Sequence, residues 1–139
     1  MIYGEYKHTI DAKSRTFVPA KLREQLGDEI VITIIADKCI SVYSRDAWDS
    51  FQEKLLALPA IKAKEVRRRI YPFTNEITID VQGRILIPQN LRERAELEKN
   101  IVSIGVGDHV EIWNEDNYME MQNNISDEEI NLTLIELGM

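Results

Sequence analysis

Asp80-Val81-Gln82-Gly83-Arg84-Ile85-Leu86-Ile87-Pro88-Gln89-Asn90-Leu91-Arg92-Glu93 repeats a stretch found far upstream, Asp11-Ala12-Lys13-Ser14-Arg15-Thr16-Phe17-Val18-Pro19-Ala20-Lys21-Leu22-Arg23-Glu24. Both copies read D-x-x-[GS]-R, three mostly apolar residues, Pro, two residues, L-R-E. The offset of 69 residues holds at Asp11/Asp80, Arg15/Arg84, Pro19/Pro88, Leu22/Leu91, Arg23/Arg92 and Glu24/Glu93. Six identities at one offset are a duplication and not a consequence of composition.

The echo runs on downstream once small length changes are allowed. Ile30-Val31 answers Ile101-Val102, Ile40-Ser41-Val42-Tyr43 answers Val110-Glu111-Ile112-Trp113, and Asp46 and Trp48 answer Asp116 and Tyr118. A repeat of this length is a supersecondary unit in tandem. Each copy is too small to bury a core alone, so the halves are expected to pack about a pseudo-twofold axis. Whatever the motif does, it is expected to do twice.

With 139 residues the chain has one domain's length and a modest core shared between the halves. It contains no run of 18 apolar residues, and Ile2-Tyr3-Gly4-Glu5-Tyr6 reads as strand rather than as the start of a signal peptide, so neither membrane association nor secretion is expected. A cytoplasmic protein follows. Cys39 is the single cysteine, set in the strand pattern Cys39-Ile40-Ser41-Val42-Tyr43; it excludes an intramolecular disulfide and reads as a structural thiol.

A net charge of −7 argues at first sight against nucleic acid, whose binding rests on Lys and Arg neutralising phosphates. The distribution reverses that reading. Residues 1–27 carry +2 and 62–94 carry +4, whereas 28–61 carry −3 and 95–139 carry −10. The two basic stretches are those holding the repeated motif, which implies one basic face on an acidic protein.

Strands are expected within 2–10 and at Arg15 to Val18, separated by turn chemistry over Asp11 to Ser14. Pro19, Leu22, Leu26 and Gly27 mark a short helix over 19–26. Ile30 to Ile35 and Cys39 to Tyr43 form a hairpin, and Ser44 caps a helix whose buried face is Trp48, Phe51, Leu55 and Leu58. After Pro59 a second helical segment, 61–70, places Ala63, Val66 and Ile70 on one side and ends before Pro72, bridging the repeats. The second copy follows the same order: strand (Glu76 to Asp80), turn, strand (Arg84 to Ile87), short helix from Pro88, hairpin (Ile101 to Val106, His109 to Trp113) and a helix from about Glu115. Ser126-Asp127-Glu128-Glu129 is a capping box opening an acidic helix whose Ile130, Leu134 and Leu137 are expected to dock on a neighbour.

In the turn Asp80-Val81-Gln82-Gly83-Arg84, Gly83 permits a positive φ, and the Asp carboxylate is placed to accept bonds from turn amides or from the motif's own Arg. An Arg held by a carboxylate at a strand start is pre-organised for bidentate recognition of phosphate or of a guanine edge. The bland reading is a clip that only holds the turn together. Duplication weighs against that, as do the further basic residues beside both copies: Lys7, His8, Lys13, Lys21 and Arg23 in the first, Arg92 and Arg94 in the second.

In Gly4-Glu5-Tyr6, Asp11-Ala12-Lys13-Ser14-Arg15, Val18-Pro19-Ala20-Lys21-Leu22-Arg23, Asp80-Val81-Gln82-Gly83-Arg84-Ile85, Ile87-Pro88-Gln89-Asn90-Leu91-Arg92 and the segment from Ile104-Gly105-Val106 to Glu111-Ile112-Trp113, the chain resembles the MraZ family of bacterial transcriptional regulators. The likeness covers nearly the whole sequence. It implies a β-rich α+β fold: two tandem AbrB-like swapped-hairpin β-barrel repeats related by a pseudo-twofold axis, at 1–58 and 76–139, joined by a bridging helix segment at 59–75. It further implies a ring-like homo-oligomer, nucleoid-associated, that binds DNA at repeated sites upstream of the operon for cell division and cell-wall synthesis. The family's DNA-binding roles fall on Asp11, Arg15, Asp80 and Arg84, and Lys7, Lys13, Lys21, Arg23 and Arg92 are the basic residues expected to join them. The chain departs from the family pattern twice. Ser14 stands where Gly is common, which makes a positive φ less comfortable there, and Tyr71-Pro72-Phe73-Thr74-Asn75 replaces a Phe-Phe-Ser-Gly-Ala type of stretch, so the bridge is expected to differ.

Two rival classes compete with this reading. An aspartic-protease-like dyad of Asp11 and Asp80 lacks the Thr/Ser-Gly that such chemistry sets behind each Asp, and an Arg four residues on would keep each carboxylate ionised. With two His and one Cys, no metal site is expected, and Gly105-Val106-Gly107-Asp108 lacks the Lys of a phosphate loop and reads as a hairpin turn. The reading is therefore no enzyme, no cofactor and no small-molecule substrate. The alternative is a protein-binding oligomeric scaffold that uses the apolar helix faces and acidic tail without DNA.

Overall fold

In the computed structural model, which describes residues 1–139, the repeated turns cut the N-terminal arm of each half into two short strands. The first half runs β1 (Glu5–Thr9), β2 (Arg15–Phe17), α1 (Ala20–Leu26), β3 (Glu29–Thr33), β4 (Ile40–Ser44) and α2 (Arg45–Leu56). A bridge of α3 (Ala60–Ile70) and a 3-10 turn at Tyr71–Phe73 follows. The second half runs β5 (Asn75–Thr78), β6 (Arg84–Leu86), α4 (Gln89–Arg94), β7 (Asn100–Gly105), β8 (Val110–Asn114) and α5 (Glu115–Asn124), and α6 (Asp127–Glu136) ends the chain.

Local chemistry sets these boundaries. Pro19 and Pro88, with φ of −50° and −57°, start α1 and α4 one residue later than a first-position proline would. The Ser44 hydroxyl accepts the Ala47 amide at 3.1 Å to cap α2, and Asn114 does the same for Asn117 at 3.0 Å to cap α5. Leu55 is buried on α2 but Leu58, expected beside it, lies beyond the helix end and is 44 % exposed, so the buried face of α2 stops one turn early.

The halves interlock. All pairs are antiparallel, in a six-stranded sheet of order β1-β7-β8-β4-β3-β5 and a separate two-stranded ribbon, β2-β6. Each half's first strand lies on the other half's hairpin: β1 on β7, and β5 on β3. The pseudo-twofold axis can be read from register. Thr16 faces Ile85 across the ribbon and Ser41 faces Glu111 across the β4-β8 pair, so at both places a residue pairs with its own repeat counterpart. The main core holds 18 buried residues, nine from each half, among them Leu22, Ile32 and Ile40 from the first and Ile85, Leu91 and Ile101 from the second. Neither half could bury its share without the other.

Outside the sheet, α2 and α3 cover Val31 and Tyr43 with Trp48 and Ile70, and Thr74 ties the bridge down by bonding the Ile70 carbonyl and the Thr33 hydroxyl, each at 2.9 Å. The second half has the matching cluster of Val102, Trp113 and Tyr118, with Cys39 buried in it. Burial, with Glu111 and Asp37 nearby, pushes the Cys39 thiol well above its ordinary pKa, which fits an inert structural thiol. No helix of the second half takes the place of α3, because α6 buries none of its residues. Its expected docking face is 47 % exposed at Ile130 and 72 % at Leu137 and only half-buried at Leu134, so none of it is buried within the chain.

Candidate nucleic-acid interface

The two motif turns are near copies in three dimensions. Asp11 accepts the Lys13 and Arg15 amides on Oδ1 at 2.8 and 2.9 Å and the Arg15 Nε on Oδ2 at 3.1 Å. Asp80 accepts the Gln82 and Arg84 amides at 2.9 and 2.8 Å and the Arg84 Nε at 3.1 Å. Each turn is closed by a residue in the left-handed region, Ser14 at φ 61° and Gly83 at φ 84°, as in a G1 bulge. Amides, guanidinium and carboxylate are thus all engaged, settling between the two partners left open by the sequence in favour of both. The Arg15 amide above all, with the guanidinium and the Lys13 amide, holds the Asp11 carboxyl below its ordinary range; the same groups of the second motif do so for Asp80. Neither Arg15 nor Arg84 uses an Nη in any hydrogen bond within the chain, so the outer edge of each guanidinium is free for a planar two-acceptor partner.

The ribbon places these arginines. Register pairs Arg15 with Leu86 and Phe17 with Arg84, while Thr16 and Ile85 between them point inward and are buried. On alternation, Arg15, Phe17, Arg84 and Leu86 all stand on the outward face, a two-by-two block in which each Arg has an apolar neighbour across the strand. Phe17 and Leu86 are 58 % and 59 % exposed. In the sequence both read only as members of an apolar run. The signal was their position two residues after each Arg, which in a strand means the same face.

The other expected site residues divide. Lys13 in the first turn and Lys21 in the first turn of α1, which follows β2 in the chain, are exposed. Lys7 is exposed too, but β1 turns its neighbour His8 toward the ribbon, so Lys7 points to the opposite face and does not join the block. His8 bridges the hydroxyls of Thr16 at 3.1 Å and Ser103 at 2.7 Å, and burial lowers its pKa, so it belongs to the core and not to the basic face. Arg23 and Arg92 are half-buried and reach across to the turn of the opposite repeat. Asp11 and Asp80 sit at opposite ends of the ribbon, each paired with its own Arg, which is not the shared-proton geometry of a protease dyad.

Elsewhere, open surface hollows lie beside α5, lined by Trp113, Met121 and Ile125 among others, and beside α3, lined by Lys64, Arg67, Arg68 and Tyr71. No three His, Cys, Asp or Glu side chains converge as a metal site, and no helix is long and apolar enough to cross a membrane.

Comparison with known proteins decides the family. The family described as "MraZ protein, putative antitoxin-like" matches twice in tandem, over residues 1–69 and 70–133. The chain belongs to the MraZ family. It is 46 % identical over 143 residues to a protein of Thermoanaerobacter sp. (strain X514) and 42 % over 142 residues to one of Clostridium tetani (strain Massachusetts / E88), with the whole of both chains covered in each case. A protein of Heliobacterium modesticaldum (strain ATCC 51547 / Ice1) is 46 % identical over 120 residues, 85 % of this chain and 84 % of its own. All three are named "Transcriptional regulator MraZ". The MraZ relatives are regulators and not enzymes, and the double match fits the two interlocked repeats.

Proposed function

We propose that this MraZ chain is a sequence-specific DNA-binding transcriptional regulator whose reading element is the outward face of the β2-β6 ribbon. The observation that carries this is the cross-strand block of Arg15, Leu86, Phe17 and Arg84, with each guanidinium aimed by its own Asp and both Nη atoms unused. A two-stranded ribbon fits a major groove about 12 Å wide, where Arg pairs with guanine O6 and N7 and apolar side chains meet the thymine methyl. Asp11 and Asp80 orient, Arg15 and Arg84 read, and Lys13 and Lys21 neutralise phosphates.

The repeats 1–58 and 76–139, joined by 59–75, then present two equivalent half-readers across the pseudo-twofold axis. The family resemblance supports repeated sites upstream of the cell-division and cell-wall operon and a nucleoid-associated location in the cytoplasm. A ring-like homo-oligomer is supported by α6. A ten-residue helix is only marginally stable alone in water, and this one has no fully buried residue in its own chain. A second subunit is the natural cover.

A gel shift with DNA from upstream of the chain's own gene, against shuffled competitor, tests the function. Preference for the cognate duplex is expected, with log K against log salt steeper than about −4, since each phosphate contact contributes about 0.9. Binding that ignores sequence and salt would favour the scaffold reading.

A further inference from the structure

We infer that Arg92 and Arg23 are positioning residues, each setting the conformation of the arginine-bearing turn in the other repeat. The inference rests on the ribbon being the DNA reader and adds what holds it in reading geometry. Arg92 leaves α4 of the second half and crosses to the first turn, where Nη1 donates to the Asp11 carbonyl at 3.1 Å and to the Ser14 hydroxyl at 2.8 Å, while Nε donates to the Leu97 carbonyl at 3.3 Å. Arg23 leaves α1 of the first half and crosses to the second turn. Its Nε is held by Asp28 at 2.9 Å, and Nη2 reaches the Asp80 carbonyl at 3.5 Å. Two arginines at equivalent repeat positions thus grip the same carbonyl of the opposite turn, the one that also accepts the turn-closing amide of Ser14 or Gly83.

The clamp accounts for the different residues that the two motifs place at the same left-handed position, Ser14 and Gly83. At Gly83 a Cβ would lie 3.1 Å from the Arg23 Nη1, so the second turn leaves that space to the guanidinium. At Ser14 the side chain occupies it instead, and its hydroxyl becomes the acceptor for Arg92. A serine at φ 61° is disfavoured by its own Cβ, and the charge-assisted bond from Arg92 offsets that cost. The first turn therefore depends on its clamp more than the second, whose contact is long and whose left-handed residue is glycine. A loosened turn would leave the Arg15 charge in place and lose its direction. The effect is on discrimination and not on the count of phosphate contacts.

The test uses full-length wild type, Arg92→Ala, Arg92→Lys, Arg23→Ala, Ser14→Gly and Ser14→Gly/Arg92→Ala. Each is titrated with upstream and shuffled duplexes over a salt series, melted, and followed without DNA by amide exchange at Ser14. Arg92→Ala is expected to lower the cognate-to-shuffled ratio about tenfold with the salt slope unchanged, and to speed Ser14 exchange about tenfold. Arg92→Lys recovers part of both, Arg23→Ala has the smaller effect, and in the Ser14→Gly background the Arg92→Ala loss shrinks to about threefold or less. A slope reduced by about 0.9 with the ratio intact makes Arg92 a phosphate contact and overturns the inference. An equal loss with Ser14 or Gly at position 14 overturns it as well. If the wild type itself shows no cognate preference, the DNA reading fails, and Ser14 exchange still decides the clamp. Should Arg92→Ala melt far below wild type, Arg92→Lys and the exchange data carry the decision.

Discussion

Replacing Leu86 or Phe17 with Ala removes apolar surface from the outward face of the ribbon and leaves every charge in place. Burying such a side chain fully is worth about 1.5–3 kcal/mol. Leu86 is 59 % and Phe17 58 % exposed, so rather more than half of that is still to be gained when something covers the ribbon. About 1–2 kcal/mol per residue follows, which is about five- to thirtyfold in Kd. Without DNA the same atoms lie in water, and the melting temperature should move little. Fluorescence anisotropy on the upstream duplex, a shuffled duplex and an upstream duplex carrying uracil for thymine separates the sources of any loss. If the two side chains rest on thymine methyls, uracil weakens wild type but not the Phe17→Ala/Leu86→Ala double variant, because the methyl and its partner are removed together. A Kd within twofold of wild type for both single variants would refute the reasoning. So would an equal loss on all three duplexes.

Arg15→Ala and Arg84→Ala should each lower cognate binding by about 1–3 kcal/mol if the guanidinium reaches a base edge, with melting unchanged; variants that fail only because they unfold would make the motif a structural clip. Asp11→Asn and Asp80→Asn should reproduce part of that loss in the cognate-to-shuffled ratio, since the Arg keeps its charge and loses its aim. Both Asp carboxyls are depressed, so their contribution to stability is present above the ordinary pKa of 3.8 and is lost as pH falls through the lower folded value; acid melts of the two Asn variants should lose the corresponding slope. The histidines should titrate apart in proton NMR. His8, depressed by burial, stays neutral until below 6.5 and weakens the fold on acidification. At His109, stacked on Tyr43, the Glu111 and Asp108 carboxylates outweigh burial and raise the pKa, so its stabilisation is full below 6.5 and lost as pH rises through the raised value; His109→Gln should remove that alkaline loss. Light scattering after size exclusion should give a multiple of the monomer mass at micromolar concentration, and a monomer would count against cover of α6 by a second copy.

The duplication, the motif turns and the short helices after Pro19 and Pro88 were legible in the sequence because each depends on residues within a few positions of one another. An Asp whose carboxylate caps its own turn, a left-handed residue at 14 or 83 and an Arg four residues on make bonds of local reach, and the shared Asp and Arg make the same bonds in both copies to within 0.1 Å, 2.9 and 3.1 Å in the first and 2.8 and 3.1 Å in the second. Strand partners are chosen by burial over long separations, and no local signal carries them. That β1 lies on β7 and β5 on β3 follows from eighteen apolar side chains needing one core, nine of them supplied by each half. Only this pairing puts Phe17 beside Arg84 and Leu86 beside Arg15, turns Lys7 away from the ribbon and draws His8 inside. Arg23 and Arg92 read as two more surface charges of the motif because their acceptors lie 57 and 81 residues away in the chain. The sequence by itself determined what each turn is; the exchange of strands between the halves decided what each turn stands next to.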